Sequence, residues 1–220
     1  MTSRDPIRVD IWSDIACPWC YIGKRKFEDG VRRSGRAVDV TYHSFELSPD
    51  TPVDFEGDEI DFLSKHKGLP AEQVVGMLAN VTGIAREVGL DYDYDALQHT
   101  NTVLAHQLLH FAKAKGRQLD MTERLLKAYF EQGRHVGRVD DLADLAAEIG
   151  LDRDEVVASL STDEYLADVR ADQAQAVEYG INGVPFFVIE GKYGVSGAQA
   201  PEVFQQVLDQ VATDSVEVAR

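Results

Sequence analysis

The sequence predicts an α/β fold assembled from the two ends of the chain, with a block of helices set between them. Strand-like runs occur only before Phe45 and after Thr162, while the stretch between carries apolar residues at helical spacing. Both cysteines of the 220-residue chain also fall where the first strand gives way to the first helix.

In "IRVDIWSD", apolar Ile7, Val9 and Ile11 alternate with Arg8, Asp10 and Trp12, the period of a strand with two different faces. Pro18 follows Cys17 and suits a first helical turn, where its missing N–H costs nothing; Tyr21, Ile22, Phe27 and Val31 continue at helical spacing until Gly35. "VDVTYHSF", residues 38–45, reads as a second strand and completes a β-α-β unit. An acidic loop, "ELSPDTPVDFEGDE", leads into helical stripes at Val74–Val88, Leu104–Phe111, Leu125–Phe130, Leu142–Ile149 and Val156–Leu160. "STDE" at 161–164 reads as the cap of a long helix through Leu166, Val169 and Val177 to Gly180. Phe186–Ile189 is a short apolar strand, Glu190-Gly191 a tight turn, and Tyr193–Val195 the returning strand. Pro201 opens a last helix carrying Val203, Phe204, Val207, Leu208 and Val211, with a frayed end expected from Thr213. The order β-α-β, helices, α-β-β-α is that of a thioredoxin fold with a large all-helical insertion. The expected partition is 1–45 with 162–220 for the discontinuous thioredoxin-like domain and 46–161 for the insertion.

Acidic residues outnumber basic ones by 38 to 22, so a net charge of -16 repels phosphate backbones and anionic lipid. Nucleic acid and membrane partners are therefore not expected. "MTSRDP" has no secretory signal character, and the expected compartment is the cytoplasm, where a passive structural disulfide is a poor explanation for two cysteines.

Cys17 and Cys20, in "SDIACPWCYIGKRKFE", are best read as a redox pair. Unpaired N–H groups and the dipole at a helix start lower a thiol's pKa, so Cys17 is the expected attacker. Cys20, one turn further in, is expected to be more buried and to resolve the mixed disulfide. Zinc would need four ligands; there is no second cysteine pair, and His43, His66, His99, His106, His110 and His135 all lie away from the motif. The spacing of His106 and His110 suits a metal, but Leu104, Leu108 and Phe111 mark an amphipathic helix. Inert buried thiols are the remaining reading. Asp10 and Asp14 lie on the Trp12 face of the first strand, and Asp14 is a candidate proton carrier. Lys24, Arg25 and Lys26 either raise the local potential or line a solvated helix face. No metal or nucleotide is implied.

"CPWC", the opening strand, the helical insert and "GINGVPFFVI" together resemble the DsbA family of thiol-disulfide oxidoreductases, particularly its FrnE-like cytoplasmic branch. The resemblance covers essentially the whole chain. It implies exchange with protein or small-thiol disulfides through Cys17 and Cys20, with Pro18 and Trp19 at the substrate surface. It also implies a cis Pro185 against the cysteines, which the sequence alone would leave trans, and a Val184 backbone that pairs with substrate. No cofactor is implied beyond glutathione as a reductant; oligomeric state is not readable. Kappa-class glutathione transferases and related isomerases share the superfamily, but they carry a serine at the position of Cys17 and an acidic residue that "SGAQ", 196–199, lacks. A redox-independent holdase using an apolar patch around Trp19 is the alternative from another class.

Overall fold

The computed structural model describes residues 5–218, and side chains from 5 to 214. Four strands, β1 (Ile7–Ser13), β2 (Val38–Ser44), β3 (Phe186–Ile189) and β4 (Tyr193–Ser196), form one sheet in the order β2-β1-β3-β4. β1 is central. It runs parallel to β2, with Ile7 opposite Val38 and Ser13 opposite Ser44, and antiparallel to β3, with Val9 opposite Ile189 and Trp12 opposite Phe186. Glu190 and Gly191 both have positive φ, 52° and 65°, as the two central residues of a tight β3–β4 hairpin require.

Helices cover both faces of the sheet. On one face α1 (Pro18–Ser34) and the last helix, α9 (Pro201–Val218), pack Phe27, Phe204 and Leu208 against Val9, Ile11, Phe187 and Ile189. Gly30 permits that contact, because a Cβ there would meet Phe204 Cβ at 2.6 Å and the Pro201 carbonyl at 2.8 Å. On the other face α8 (Leu166–Glu178) supplies Ala176 against Trp12 and Val188. α1 ends as expected, on left-handed Gly35, whose N–H donates to the Val31 carbonyl. α9 continues past Thr213, where fraying was expected, to Val218.

Between β2 and α8 lie α2 (Glu59–Lys67), α3 (Ala71–Glu87), α4 (Val103–Ala114), α5 (Gln118–Gln132), α6 (Val139–Glu148) and α7 (Arg153–Ser161). α2 begins on the last residue of the stretch read as an acidic loop; Asp58 caps it by accepting from the Asp61 N–H while the Asp61 side chain accepts from the Asp58 N–H. "STDE" does not cap α8. It closes α7, with the Thr162 hydroxyl donating to the Ala158 and Ser159 carbonyls and Asp163 in the left-handed region, and α8 starts only at Leu166. Val177, expected in the apolar stripe of that helix, is 77% exposed. α4 is not amphipathic either: Ala105 through Ala112 are all buried, His106 and His110 among them.

The insertion is tied to the sheet by side chains. Gln118 of α5 donates to the Tyr42 carbonyl at 2.8 Å and accepts from the Tyr42 N–H at 3.0 Å, covering the outer edge of β2. Glu123 of α5 accepts from Tyr21 and is bound by Lys24 and Arg25, so Lys24, expected on a solvated face, is buried in an ion pair. Asp172 of α8 joins three elements: it accepts from His43 Nδ1 at 2.7 Å, from the Ser44 N–H at 2.8 Å and from His110 Nε2 at 3.0 Å. His43 Nε2 donates to Asp10 at 3.0 Å, and the His43 ring stacks on Trp12.

That network makes stability depend on pH. Burial pushes His43 down, but the Asp172 and Asp10 carboxylates outweigh it and hold the imidazole above its ordinary value. Burial pushes Asp172 up, but His110, His43 and the Ser44 N–H hold it far below the carboxylate range. The raised histidine stabilises fully below its unfolded value of about 6.5 and is lost as pH climbs through its folded value. The depressed carboxylate stabilises above its unfolded value of about 3.9 and is lost as pH falls through its folded value. Replacing His43 by Asn should therefore cost about 3 kcal/mol in urea unfolding at pH 6. The gap to wild type should narrow as pH rises toward 9; a gap that stays constant would refute the charged imidazole.

Candidate active site

β1 delivers the chain to Asp14, Ile15 and Ala16, and α1 begins at Cys17, the N-cap, with Pro18 in the first helical position. The Cys17 N–H donates to the Asp14 carbonyl and the Cys20 N–H to the Cys17 carbonyl, at 3.3 Å and 3.0 Å, which places both thiols in the first turn. Both cysteines are free thiols. They are equally buried, each 3% exposed, so Cys17 is not the more open of the two as expected. Leu47, Phe62 and Leu78 of the insertion line one cavity with Cys17. Trp19 is partly exposed on the outer turn, and the Pro18 carbonyl accepts from the Tyr92 hydroxyl at 2.7 Å.

The C-terminal half reaches the motif through Val184 and Pro185, whose peptide bond is cis. The Cys17 thiol donates to the Val184 carbonyl at 3.6 Å. Pro185 packs on Gly23 of α1 so closely that a Cβ at Gly23 would lie 2.8 Å from Pro185 Cγ, and the Pro185 carbonyl accepts from the Gly197 N–H at 2.8 Å. Residues 167 apart in sequence thus share one surface with the thiol.

Asp14 is buried and separates from Asp10, which turns to Arg8 and His43. Its carboxylate accepts from the Leu47 N–H at 2.8 Å, the Ala16 N–H at 3.4 Å and His106 Nε2 at 3.2 Å. Burial pushes this carboxyl up, but hydrogen bonding to and attraction by His106, with help from Leu47 and Thr102, hold it below the ordinary carboxylate range. A carboxyl so held can accept a proton but has none to give at neutral pH. For Cys20, burial, then hydrogen bonding to Cys17 and the charge there, push the thiol well above its ordinary value.

His106, Tyr92 and the Glu59–His99 pair were not legible as site residues, because nothing in their local spacing ties them to the motif. His99 Nδ1 donates to Glu59 at 2.8 Å, and the pair joins Asp14 and Cys17 in lining one cavity. Among the described residues no cluster of three His, Cys, Asp or Glu is arranged to hold a metal ion. His106 and His110 are partners of Asp14 and Asp172 instead.

A family model of DSBA-like thioredoxin domains matches residues 8–209. A probable DsbA oxidoreductase from Streptomyces coelicolor is 40% identical and superposes with a TM-score of 0.86, covering 93% of this chain and 89% of that one. The uncharacterized protein YwbO of Bacillus subtilis is 29% identical over 210 residues, 92% of this chain and 96% of its own length. The cytosolic disulfide reductase DsbM of Pseudomonas aeruginosa, also solved with GSH, is 19% identical, with a TM-score of 0.67 over 94% of this chain and 98% of that one. At that identity the likeness is one of fold alone.

The Gly23–Pro185 contact can be tested directly. Ala at Gly23 must displace the proline ring and with it the Val184 carbonyl, so Gly23→Ala should cost about 1 to 3 kcal/mol of stability and slow disulfide exchange. Gly83→Ala, in α3 with nothing within 4 Å of its Cβ, should do neither. Exchange rates equal in the two variants would show that the contact is not needed.

Proposed function

The chain belongs to the DsbA-like thioredoxin family, and we propose that within it the protein is a thiol-disulfide oxidoreductase of the FrnE-like branch, exchanging disulfides with protein or small-thiol substrates in the cytoplasm. The observation that carries this reading is the pair of free thiols in the first turn of α1, with Cys17 against the Val184 carbonyl. The fold is shared by a disulfide reductase described as cytosolic, and no helix among the described residues is long and apolar enough to cross a membrane. No bound cofactor is needed; a small thiol such as glutathione is the expected reductant.

Cys17, as thiolate, attacks one sulfur of the substrate disulfide. The substrate S–S bond breaks, a Cys17–substrate disulfide forms, and the other half leaves as a thiolate that takes up a proton. Cys20 then attacks the Cys17 sulfur, releasing the second half and leaving a Cys17–Cys20 disulfide. The two protein thiols are oxidised and the substrate is reduced by the same two electrons.

The thiols differ in a way that times these steps. Two of the causes that push Cys20 up are its hydrogen bond to Cys17 and the charge on that sulfur. Both vanish when Cys17 is bonded to substrate, so Cys20 releases its proton more easily once there is a mixed disulfide to resolve. Potentials in this fold run from about -270 to about -120 mV. Trp19 cannot donate charge to Cys17 as a protonated histidine could, which favours the less oxidising part of that range.

Cys17→Ser should abolish reduction of insulin disulfides, whereas Cys20→Ser should accumulate a mixed disulfide on Cys17, visible by intact mass and cleared by dithiothreitol. Insulin reduction by Cys17→Ser at the wild-type rate would end the proposal.

A further inference from the structure

Cys17 is only 3% exposed, and it forms part of the wall of a cavity of about 280 Å³ between the start of α1 and helices α2 and α3 of the insertion. Trp19, Leu47, Phe62, Met77 and Leu78 make that cavity apolar. Its volume lies at the small end of ligand pockets, room for one small organic molecule and not for a folded loop. The two carboxylates in its wall are already engaged, Asp14 by His106 and Glu59 by His99. The cation in its wall is not: Lys67, in the last turn of α2, is exposed, and no hydrogen bond or ion pair engages it among the described residues. A cation suits the end of a helix, which accounts for a lysine there but not for its place in this wall.

We propose that this cavity is the substrate site, and that the substrate is a small disulfide with an apolar body and a terminal carboxylate. Its sulfur meets Cys17, its body lies along Phe62 and Met77, and its carboxylate pairs with Lys67. The inference rests on the thiol-disulfide reading and deepens it: a nucleophile 3% exposed in the wall of a cavity of this volume is reached more readily by a small molecule than by a folded protein. The chemistry is the exchange given above, in which the substrate S–S bond accepts two electrons from Cys17 and Cys20 and leaves as two thiols.

The test compares the symmetric disulfide of 6-mercaptohexanoate with its neutral diamide as substrates of the reduced full-length protein. Wild type should show kcat/KM about fivefold higher for the carboxylate, the size of one partly exposed ion pair. Lys67→Gln should bring that ratio to about one, and Lys192→Gln, on the β3–β4 turn, should leave it as in wild type. Met77→Trp, which narrows the cavity from a partly exposed position, should raise KM for both compounds. A wild-type ratio near one, or a ratio that Lys67→Gln does not change, would overturn the cavity proposal and leave thiol-disulfide exchange standing. If neither compound nor insulin is reduced and Cys20→Ser traps no mixed disulfide, the underlying reading fails as well.

Discussion

The pairing of β1 on both its edges is the constraint from which the site follows. Trp12 lies opposite Phe186 in β3 and His43 in β2, so β1 cannot slide by a residue without breaking two registers and turning Ile11 and Trp12 to the wrong faces. Cys17 comes five residues after Trp12, and Pro185 immediately before Phe186. One rung of one ladder therefore sets both the start of α1 and the arrival of Val184 and Pro185, and their meeting needs no further specification than the first turn of a helix.

The insertion acts on this site as a wall. Its core is continuous with the thioredoxin-like part, since Ile15, Tyr21 and Ile22 pack in the same cluster as Leu108, Leu125, Tyr129 and Phe130. It also supplies polar groups that the sheet lacks, through Gln118, Glu123, His106 and His110. Gln118 pairs the edge N–H and carbonyl of Tyr42, where an unpaired buried polar group would cost about 1 to 3 kcal/mol, while Glu123, His106 and His110 add a partner to charges that are already bonded elsewhere.

What could be read in the sequence was what depends on neighbours along the chain. The alternation of β1, the Pro18 start and Gly35 stop of α1, the Glu190-Gly191 hairpin and the Pro201 opening are local rules, and the elements stand where those rules put them. α2 was also locally signalled, by Asp58 and Asp61 in capping-box positions, although an acidic stretch obscured it. The burial of Cys17 had no such signal. Nor did the pairing of Asp14 with His106, 92 residues away, or the enclosure on all sides of α4, which was read as amphipathic and whose two histidines are buried hydrogen-bond partners. These depend on how the insertion folds back over β1, and local spacing carries no information about that.

The Asp14–His106 pair also explains how a carboxylate is tolerated close to a sulfur that must become negative. An unpaired Asp14 would be raised by burial, and if it did ionise it would repel the Cys17 thiolate in a medium that screens poorly. Hydrogen bonds from His106, Leu47 and Ala16 satisfy its buried charge and favour the ionised carboxyl. Asp14 is then a fixed anchor. It ties the backbone at Leu47 to the turn at Ala16, next to Cys17. The insertion thus contributes to the chemistry through the position of one imidazole as well as through the cavity wall, and both contributions come from residues that the thioredoxin-like part alone does not contain.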